Sequence, residues 1–160
     1  MNVRAATVAD REVLHRLYRE FFAVDSPAPH EGISVEDELT EVNEIVESNL
    51  AFLAEMGDEP VGFALARRRR GTEGRLTDLY VRPDARRAGV ARALARAASA
   101  ALRDLGATHL TLWVDTANAE ARAVYRRWGF REQALQLVVE LDALEPRLAG
   151  SPGGDRKSVV

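Results

Sequence analysis

Pro83 closes an alternating apolar run, Arg75 to Val81, and it has no N–H to donate to a ladder, so the chain leaves any sheet there. Beyond it come an alanine-rich helical stretch entered through Asp84, Arg86 and Gly89, a stop at Gly106, and the apolar run His109 to Val114. A helix of about four turns between two strands sets them parallel, joined by a right-handed crossover. Upstream, the connections are too short for a crossover. Asn49 to Met56, Val61 to about Arg69 and Arg75 to Val81 read as strands joined by turns at Gly57-Asp58-Glu59-Pro60 and Gly71-Thr72-Glu73-Gly74, an antiparallel meander.

The flanking segments complete an α/β (α+β) order. Asn2 to Thr7 is a short strand, and Thr7 or Asp10 caps a helix carrying Val13, Leu14, Leu17, Tyr18, Phe21 and Phe22 at helical spacing, ending near Asp25. Ser26-Pro27-Ala28-Pro29-His30 breaks the chain, and Ser34 caps a second helix with Leu39, Val42, Ile45 and Val46 on one side and acidic residues on the other. After the crossover, Asn118 to Trp128 makes another helix, closed by Gly129, and Gln133 to Leu141 reads as a last strand. Residues 1–145 are expected to form one domain. The segment 146–160, aperiodic and rich in Gly, Ser, Pro and charges from Gly150 onward, is expected to be a mobile tail.

Composition narrows the chemistry. At 160 residues, 46% hydrophobic and 29% charged, the chain has the make-up of one globular domain. It contains no cysteine, which excludes disulfides, thiolate zinc sites and any acyl-cysteine intermediate. Its 22 basic and 25 acidic residues nearly cancel to a net charge of −3, so strong attraction to nucleic acid or an anionic membrane is not expected. The run Arg67-Arg68-Arg69-Arg70 lacks interleaved aromatics and ends a strand at a hairpin, where it solubilises an edge. His15, His30 and His109 lack metal-ligand spacing, so no metal is expected. With neither a basic leader nor a window of roughly 20 apolar residues, the expected location is cytoplasmic.

Two constellations carry chemistry. Arg86-Arg87-Ala88-Gly89-Val90-Ala91-Arg92 opens a helix after a buried strand, where unpaired amides face outward and bind anions. Gly89, Ala88 and Ala91 let a phosphate approach the main chain, and Arg86, Arg87 and Arg92 surround it with positive charge; a pyrophosphate is the natural guest. Neither a Walker loop nor the dinucleotide fingerprint is present. Farther along, Asn118 and Tyr125 lie seven residues apart, about two helical turns, and share one face. The amide of Asn118 suits a helix cap or a ligand amide, and the phenol of Tyr125 is a proton donor.

With these two motifs in this order, the chain resembles the GNAT superfamily of acetyl-CoA-dependent N-acetyltransferases. Arg86-Arg87-Ala88-Gly89-Val90-Ala91 matches the family's Arg/Gln-x-x-Gly-x-Gly/Ala loop, preceded by Leu79-Tyr80-Val81-Arg82-Pro83, and Asn118 to Phe130 matches its second motif. The resemblance covers about residues 2 to 141. It implies a GNAT-type mixed, mostly antiparallel sheet with helices on both faces, whose central parallel pair splays so that the main chain of Leu79 and Val81 pairs with pantetheine. It further implies a cofactor site of Leu79, Tyr80, Val81, Arg86, Arg87, Ala88, Gly89, Val90, Ala91, Arg92, Asn118 and Tyr125, with acetyl-CoA as co-substrate. Tyr125 would lie near the thioester sulfur, and a bulge would turn an amide of Leu79, Tyr80 or Val81 toward the thioester oxygen.

The amine must lose a proton, and Asp78 is the first candidate base, ahead of Glu120 and Asp115. Glu36, Asp37, Glu38, Glu41, Glu44 and Glu47 crowd the second helix, which borders the acceptor cleft in the family; a small cationic amine acceptor suits them, as does a plain solvated face. Trp113 and Trp128 suit core packing, or an acceptor contact. A protein N-terminus or lysine as acceptor, a non-catalytic module that senses acetyl-CoA, and a homodimer are the compatible alternatives.

Overall fold

The computed structural model describes residues 1–25, 27 and 31–150; most of the breaker at 26–30 and the tail from 151 to 160 lie outside the described residues. The elements are β1 (Asn2–Ala5), α1 (Arg11–Val24) after a single 3-10 turn at Val8–Asp10, α2 (Val35–Glu47), β2 (Ala51–Met56), β3 (Glu59–Arg68), β4 (Glu73–Val81), α3 (Val90–Asp104), β5 (His109–Thr111), α4 (Ala119–Arg127) and α5 (Leu141–Leu148). The five strands lie in chain order, β1 to β4 antiparallel and β4 with β5 parallel. The chain divides into two compact units, Met1–Trp113 and Val114–Val160.

Local chemistry explains the helix starts. Ser34 and Asp37 form a reciprocal capping box that starts α2, with Ser34 Oγ accepting from the Asp37 amide at 3.2 Å and the Asp37 carboxylate accepting from the Ser34 amide at 2.9 Å. The Asp10 carboxylate accepts the Thr7 amide at 2.8 Å and is gripped by two nitrogens of Arg4, tying β1 to the entry of α1. Helix α3 buries Val90, Leu94, Ala98 and Leu102, one residue in four, and turns Arg92, Arg96 and Arg103 outward.

Side-chain alternation assigns a different helix layer to each face of β3 and β4. On one face Phe63, Leu65 and Arg67 meet α1 and α2: Tyr18 stacks on Phe63 at 5.6 Å, and Arg67 bonds Glu41 and Glu44. On the other, Ala64, Ala66, Gly74 and Gly62 are small, and α3 packs close; a Cβ on Gly74 would stand 2.7 Å from Leu102 Cδ1. Leu65 pairs with Asp78 but Ala66 with Leu76, so Thr77 is an extra residue, a β-bulge in β4. A Cβ on Gly62 would lie 2.5 Å from the Tyr80 carbonyl oxygen, which is backbone and cannot step aside. Gly62→Ala is accordingly expected to destabilise the fold by about 1–3 kcal/mol, lowering the urea midpoint without changing the slope; an unchanged midpoint would contradict this β3–β4 packing.

Two differences from the sequence expectation concern strands. β5 stops at Thr111 instead of continuing to Val114, because β4 and β5 part there. The strand expected over Gln133 to Leu141 does not form: residues 131–140 take no ladder, and Leu135, Leu137 and Val138 are exposed. An apolar run becomes a strand only where a partner supplies the ladder. Leu141 instead opens α5, with Leu144 and Leu148 at helical spacing and Pro146 inside it, so residues 146–148 of the expected tail are helical.

Candidate active site

The parting of β4 and β5 leaves an edge. They pair only through Glu73, Gly74 and Arg75 opposite His109, Leu110 and Thr111. The base of this junction is tied by side chains: Arg75 Nε donates to Thr111 Oγ1 at 3.2 Å, that hydroxyl donates to Glu73 at 2.7 Å, and the Arg75 guanidinium lies 4.7 Å from the ring centroid of Trp113. Trp113 is exposed, not in the core. On the β3 side, Arg82 N–H bonds the Val61 carbonyl at 2.8 Å, which fixes the alternation: Asp78, Tyr80 and Arg82 direct their backbone groups to β3, while Leu79 and Val81 direct theirs away. From Leu76 to Val81 that outward edge has no strand beside it among the described residues. It matches the splayed edge that the resemblance implies, and the bulge at Thr77 lies two residues before Leu79.

The same strand leads into the anion loop. Buried Ala85 and Val90 clamp four exposed residues, Arg86 to Gly89. Gly89 has φ +79° and stands as the N-cap of α3 with no side-chain cap, so the first-turn amides are open; a Cβ there would meet nothing within 4 Å among the described residues. Arg87 is also left-handed, at φ +63°, a conformation that a non-glycine residue adopts at some strain. Arg86 Nε donates to the Val81 carbonyl at 3.0 Å, so this arginine braces the loop against the end of β4. Arg87, Arg92 and Arg96 make no ion pair among the described residues. A groove of about 380 Å³ runs from Gly89 along Arg92, Ala93, Arg96 and Ala97 to Ala100 and Val3. Unpaired amides, a helix N-terminus and free guanidinium groups fit a pyrophosphate.

Asp78 sits on the face of β4 that looks toward α1 and α2. Burial pushes its carboxyl up to about 6, the negative charges of Glu38 and Glu41 add to the rise, and hydrogen bonds from Thr77 and Tyr18 oppose it. The Tyr18 hydroxyl stands 2.8 Å from Glu38 Oε2 and 3.3 Å from Asp78 Oδ1. No cation lies within ion-pair distance of Asp78 or Glu38 among the described residues, which sets them apart from the rest of the acidic helix. Glu36 pairs with Arg19, Glu41 and Glu44 with Arg67, and Glu47 with Arg11, while Asp37 caps α2. Most of the acidic face is thus neutralised by the protein's own arginines. Arg68, from the basic run, donates to the carbonyls of Leu105 and Gly71.

In the second unit, Asn118 caps α4, its Oδ1 accepting the Ala121 amide at 3.1 Å. Tyr125 is half-buried on α4, with Trp128 and Phe130 edge-on at 5.9 and 5.7 Å. Gly129 ends the helix at φ +92°. The weaker base candidate Asp115 accepts the Ala117 amide at 2.7 Å in a turn. No group of three or more metal-ligating side chains occurs, and no helix is long and apolar enough to cross a membrane, among the described residues. Tyr18 and Glu38 join Asp78 as a cluster that spacing alone did not reveal, because the three come from separate elements.

The fold is shared with known structures. The chain is similar in structure to the aminoglycoside antibiotic 6'-N-acetyltransferase AAC(6')-IG from Acinetobacter haemolyticus, with TM-score 0.68 and 23% identity over 88% of this chain and 97% of that one. It is also similar to the aminoglycoside N-acetyltransferase AAC(6')-Iy in complex with CoA (TM-score 0.70, 19% identity, 87% and 93% covered). A third likeness is to the PaiA N-acetyltransferase of Thermoplasma acidophilum in complex with coenzyme A (TM-score 0.68, 21% identity, 84% and 92% covered). No curated protein matches the sequence. Residues 11–130, which carry the open β4 edge, the Gly89 loop and the Asn118–Tyr125 helix, match the family described as Acetyltransferase (GNAT) family; the chain belongs to that family of acetyl-CoA-dependent acyltransferases.

Proposed function

We propose that this chain moves the acetyl group of acetyl-CoA directly to a primary amine of a small cationic molecule, with residues 1–145 acting as one acetyltransferase domain. The observation that carries the acceptor class is the carboxylate pair Asp78 and Glu38, which faces α1 without an arginine or lysine partner among the described residues while its acidic neighbours on α2 are paired. A cationic amine supplies the missing countercharge. The similarity to aminoglycoside N-acetyltransferases supports the same class.

Each residue has a defined task. The amides of Arg87 to Arg92 and the guanidinium groups of Arg87 and Arg92 hold the pyrophosphate; Arg86 braces their loop. Leu79 and Val81 offer main-chain groups to the pantetheine amides, and Asn118 is assigned to the same arm by its motif position. Bound acetyl-CoA supplies the activated thioester. Asp78 takes the proton of the attacking amine: a carboxyl near 6 is still ionised at pH 7.5 and is a stronger base than an ordinary aspartate. Tyr125 gives a hydrogen bond to the departing thiolate. A hydrogen bond to a leaving group is help of the moderate, acid–base kind. Tyr125→Phe is expected to lower kcat roughly ten- to hundredfold with acetyl-CoA affinity retained; wild-type kcat in the variant would remove Tyr125 from the mechanism.

The deciding experiment is release of CoA thiol from acetyl-CoA in the presence of polyamines, aminoglycosides, lysine peptides and peptide N-termini. Release with polyamines or aminoglycosides supports the proposal, and release confined to peptides favours a protein acceptor. Tight acetyl-CoA binding with no release in any of them overturns it in favour of a sensor module.

A further inference from the structure

We infer that Tyr18 is a positioning residue that relays the acceptor's proton from Asp78 to Glu38, so that the base is emptied to solvent through α1 and α2 after each transfer. The inference rests on Asp78 acting as the base.

A phenol has one proton to donate and lone pairs to accept with. Tyr18 Oη lies 2.8 Å from Glu38 Oε2 and 3.3 Å from Asp78 Oδ1, so its single proton is shared between two ionised carboxylates, and once Asp78 is protonated the phenol donates to Glu38 alone and turns a lone pair toward Asp78. When Asp78 takes the amine's proton, it becomes a donor to Tyr18 Oη. An O–H bond then forms at Tyr18 from the Asp78 side as the original Tyr18 O–H bond breaks toward Glu38. The net change is one proton lost by Asp78 and one gained by Glu38; the phenol is regenerated and no other reactant is needed. Glu38 and Asp78 are both partly exposed, and with the acceptor seated against Asp78 it is Glu38 that delivers the proton to water.

Three observations suit Tyr18 to this task. Its ring is buried and locked, stacked on Phe63 at 5.6 Å with Phe21 edge-on at 5.5 Å, so the hydroxyl cannot swing away. Burial and the adjacent carboxylates hold the phenol far above its usual range, so it passes protons without becoming phenolate. Finally, the groups facing Asp78 are Tyr18 from α1, Thr77 on its own strand, and Glu38 and Glu41 from α2. Glu41 is held by Arg67, and Glu20 of α1 is engaged by Tyr80 and Arg82. Asp78 and Glu38 thus have no arginine clamped on them among the described residues, and a carboxylate so clamped would be a poor proton acceptor.

The test is the pH profile of kcat with acetyl-CoA and whichever of spermidine, kanamycin and a lysine peptide is turned over fastest, for wild type, Tyr18→Phe, Glu38→Gln and Asp78→Asn. Tyr18→Phe keeps the ring packing. Tyr18→Phe and Glu38→Gln are each expected to lower the high-pH plateau of kcat roughly tenfold with the KM for acetyl-CoA unchanged. The wild-type rate is expected to curve with deuterium fraction, two protons being in flight, and to become linear in Tyr18→Phe. A full plateau with only a shifted limb would mean that Tyr18 merely tunes Asp78, and would overturn the relay alone. Wild-type activity in Asp78→Asn would overturn the base assignment and the relay together.

Discussion

Asp78→Asn is expected to remove most of the activity and, at pH 8, to make the protein more stable. Asparagine has nearly the shape of the protonated acid but cannot take a proton, so kcat should fall by roughly two to four orders of magnitude, the range for a lost acid–base group. The stability change has the opposite sign. The folded carboxyl titrates near 6, above its ordinary 3.8, because burial and the charges of Glu38 and Glu41 penalise the ion. A raised folded pKa means that this group's contribution to stability is complete below about pH 4 and is lost as pH rises through about 6. At pH 8 the ionised side chain therefore costs ~3 kcal/mol relative to a neutral one. Asparagine escapes that cost, so the variant's Tm should exceed the wild type's by roughly 5–10 °C at pH 8 and by little at pH 4. Thermal melts at the two pH values, beside the kcat profile, decide the matter. Equal Tm values at pH 8 would show that the carboxylate is well solvated and unsuited to the role of base.

What could be read from the chain was what is written locally. Gly89 at the mouth of α3, the caps at Ser34 and Asn118 and the end of β4 at Pro83 depend on a residue and its immediate neighbours, and all are present as expected. The bulge at Thr77 has no such signature. It is a property of register between β3 and β4, created where Leu65 pairs with Asp78 and Ala66 with Leu76, and threonine is ordinary in either strand. The cluster of Tyr18, Glu38 and Asp78 is dispersed in the same sense: Tyr18 belongs to the apolar stripe of α1 and its ring does pack in the core, so helical spacing conceals the hydroxyl. The acidic side of α2 suggested a cation seat along its length, but the arginines that neutralise most of it come from α1 and β3, out of reach of any sequence window. The run 133–141 fails for the converse reason, since alternation describes a strand's faces but cannot supply its partner.

Gly89→Asp should leave the fold intact and abolish acetyl-CoA affinity, a separation that only a binding loop produces. Two effects on stability oppose each other. The residue's φ of +79° penalises a side chain by about 1–2 kcal/mol, although aspartate tolerates this region better than most residues. Against this, Gly89 stands at the N-terminus of α3, where a carboxylate meets the positive end of the helix dipole, worth about 0.3–1 kcal/mol. Nothing among the described residues lies within 4 Å of the new Cβ, so no steric term is added. For the ligand the terms do not cancel. The carboxylate would occupy the amides that a pyrophosphate needs and set one negative charge against others at contact distance, so the Kd for acetyl-CoA should rise at least about a hundredfold, roughly 3 kcal/mol. Gly89→Ala carries the backbone strain without the charge and should weaken binding by about tenfold or less. Calorimetric titration of the three proteins, with melts run alongside, reads each term by itself. Normal affinity in Gly89→Asp would mean that the pyrophosphate does not bind at the mouth of α3, whereas a collapsed Tm would mean that the glycine serves the turn before it serves any ligand.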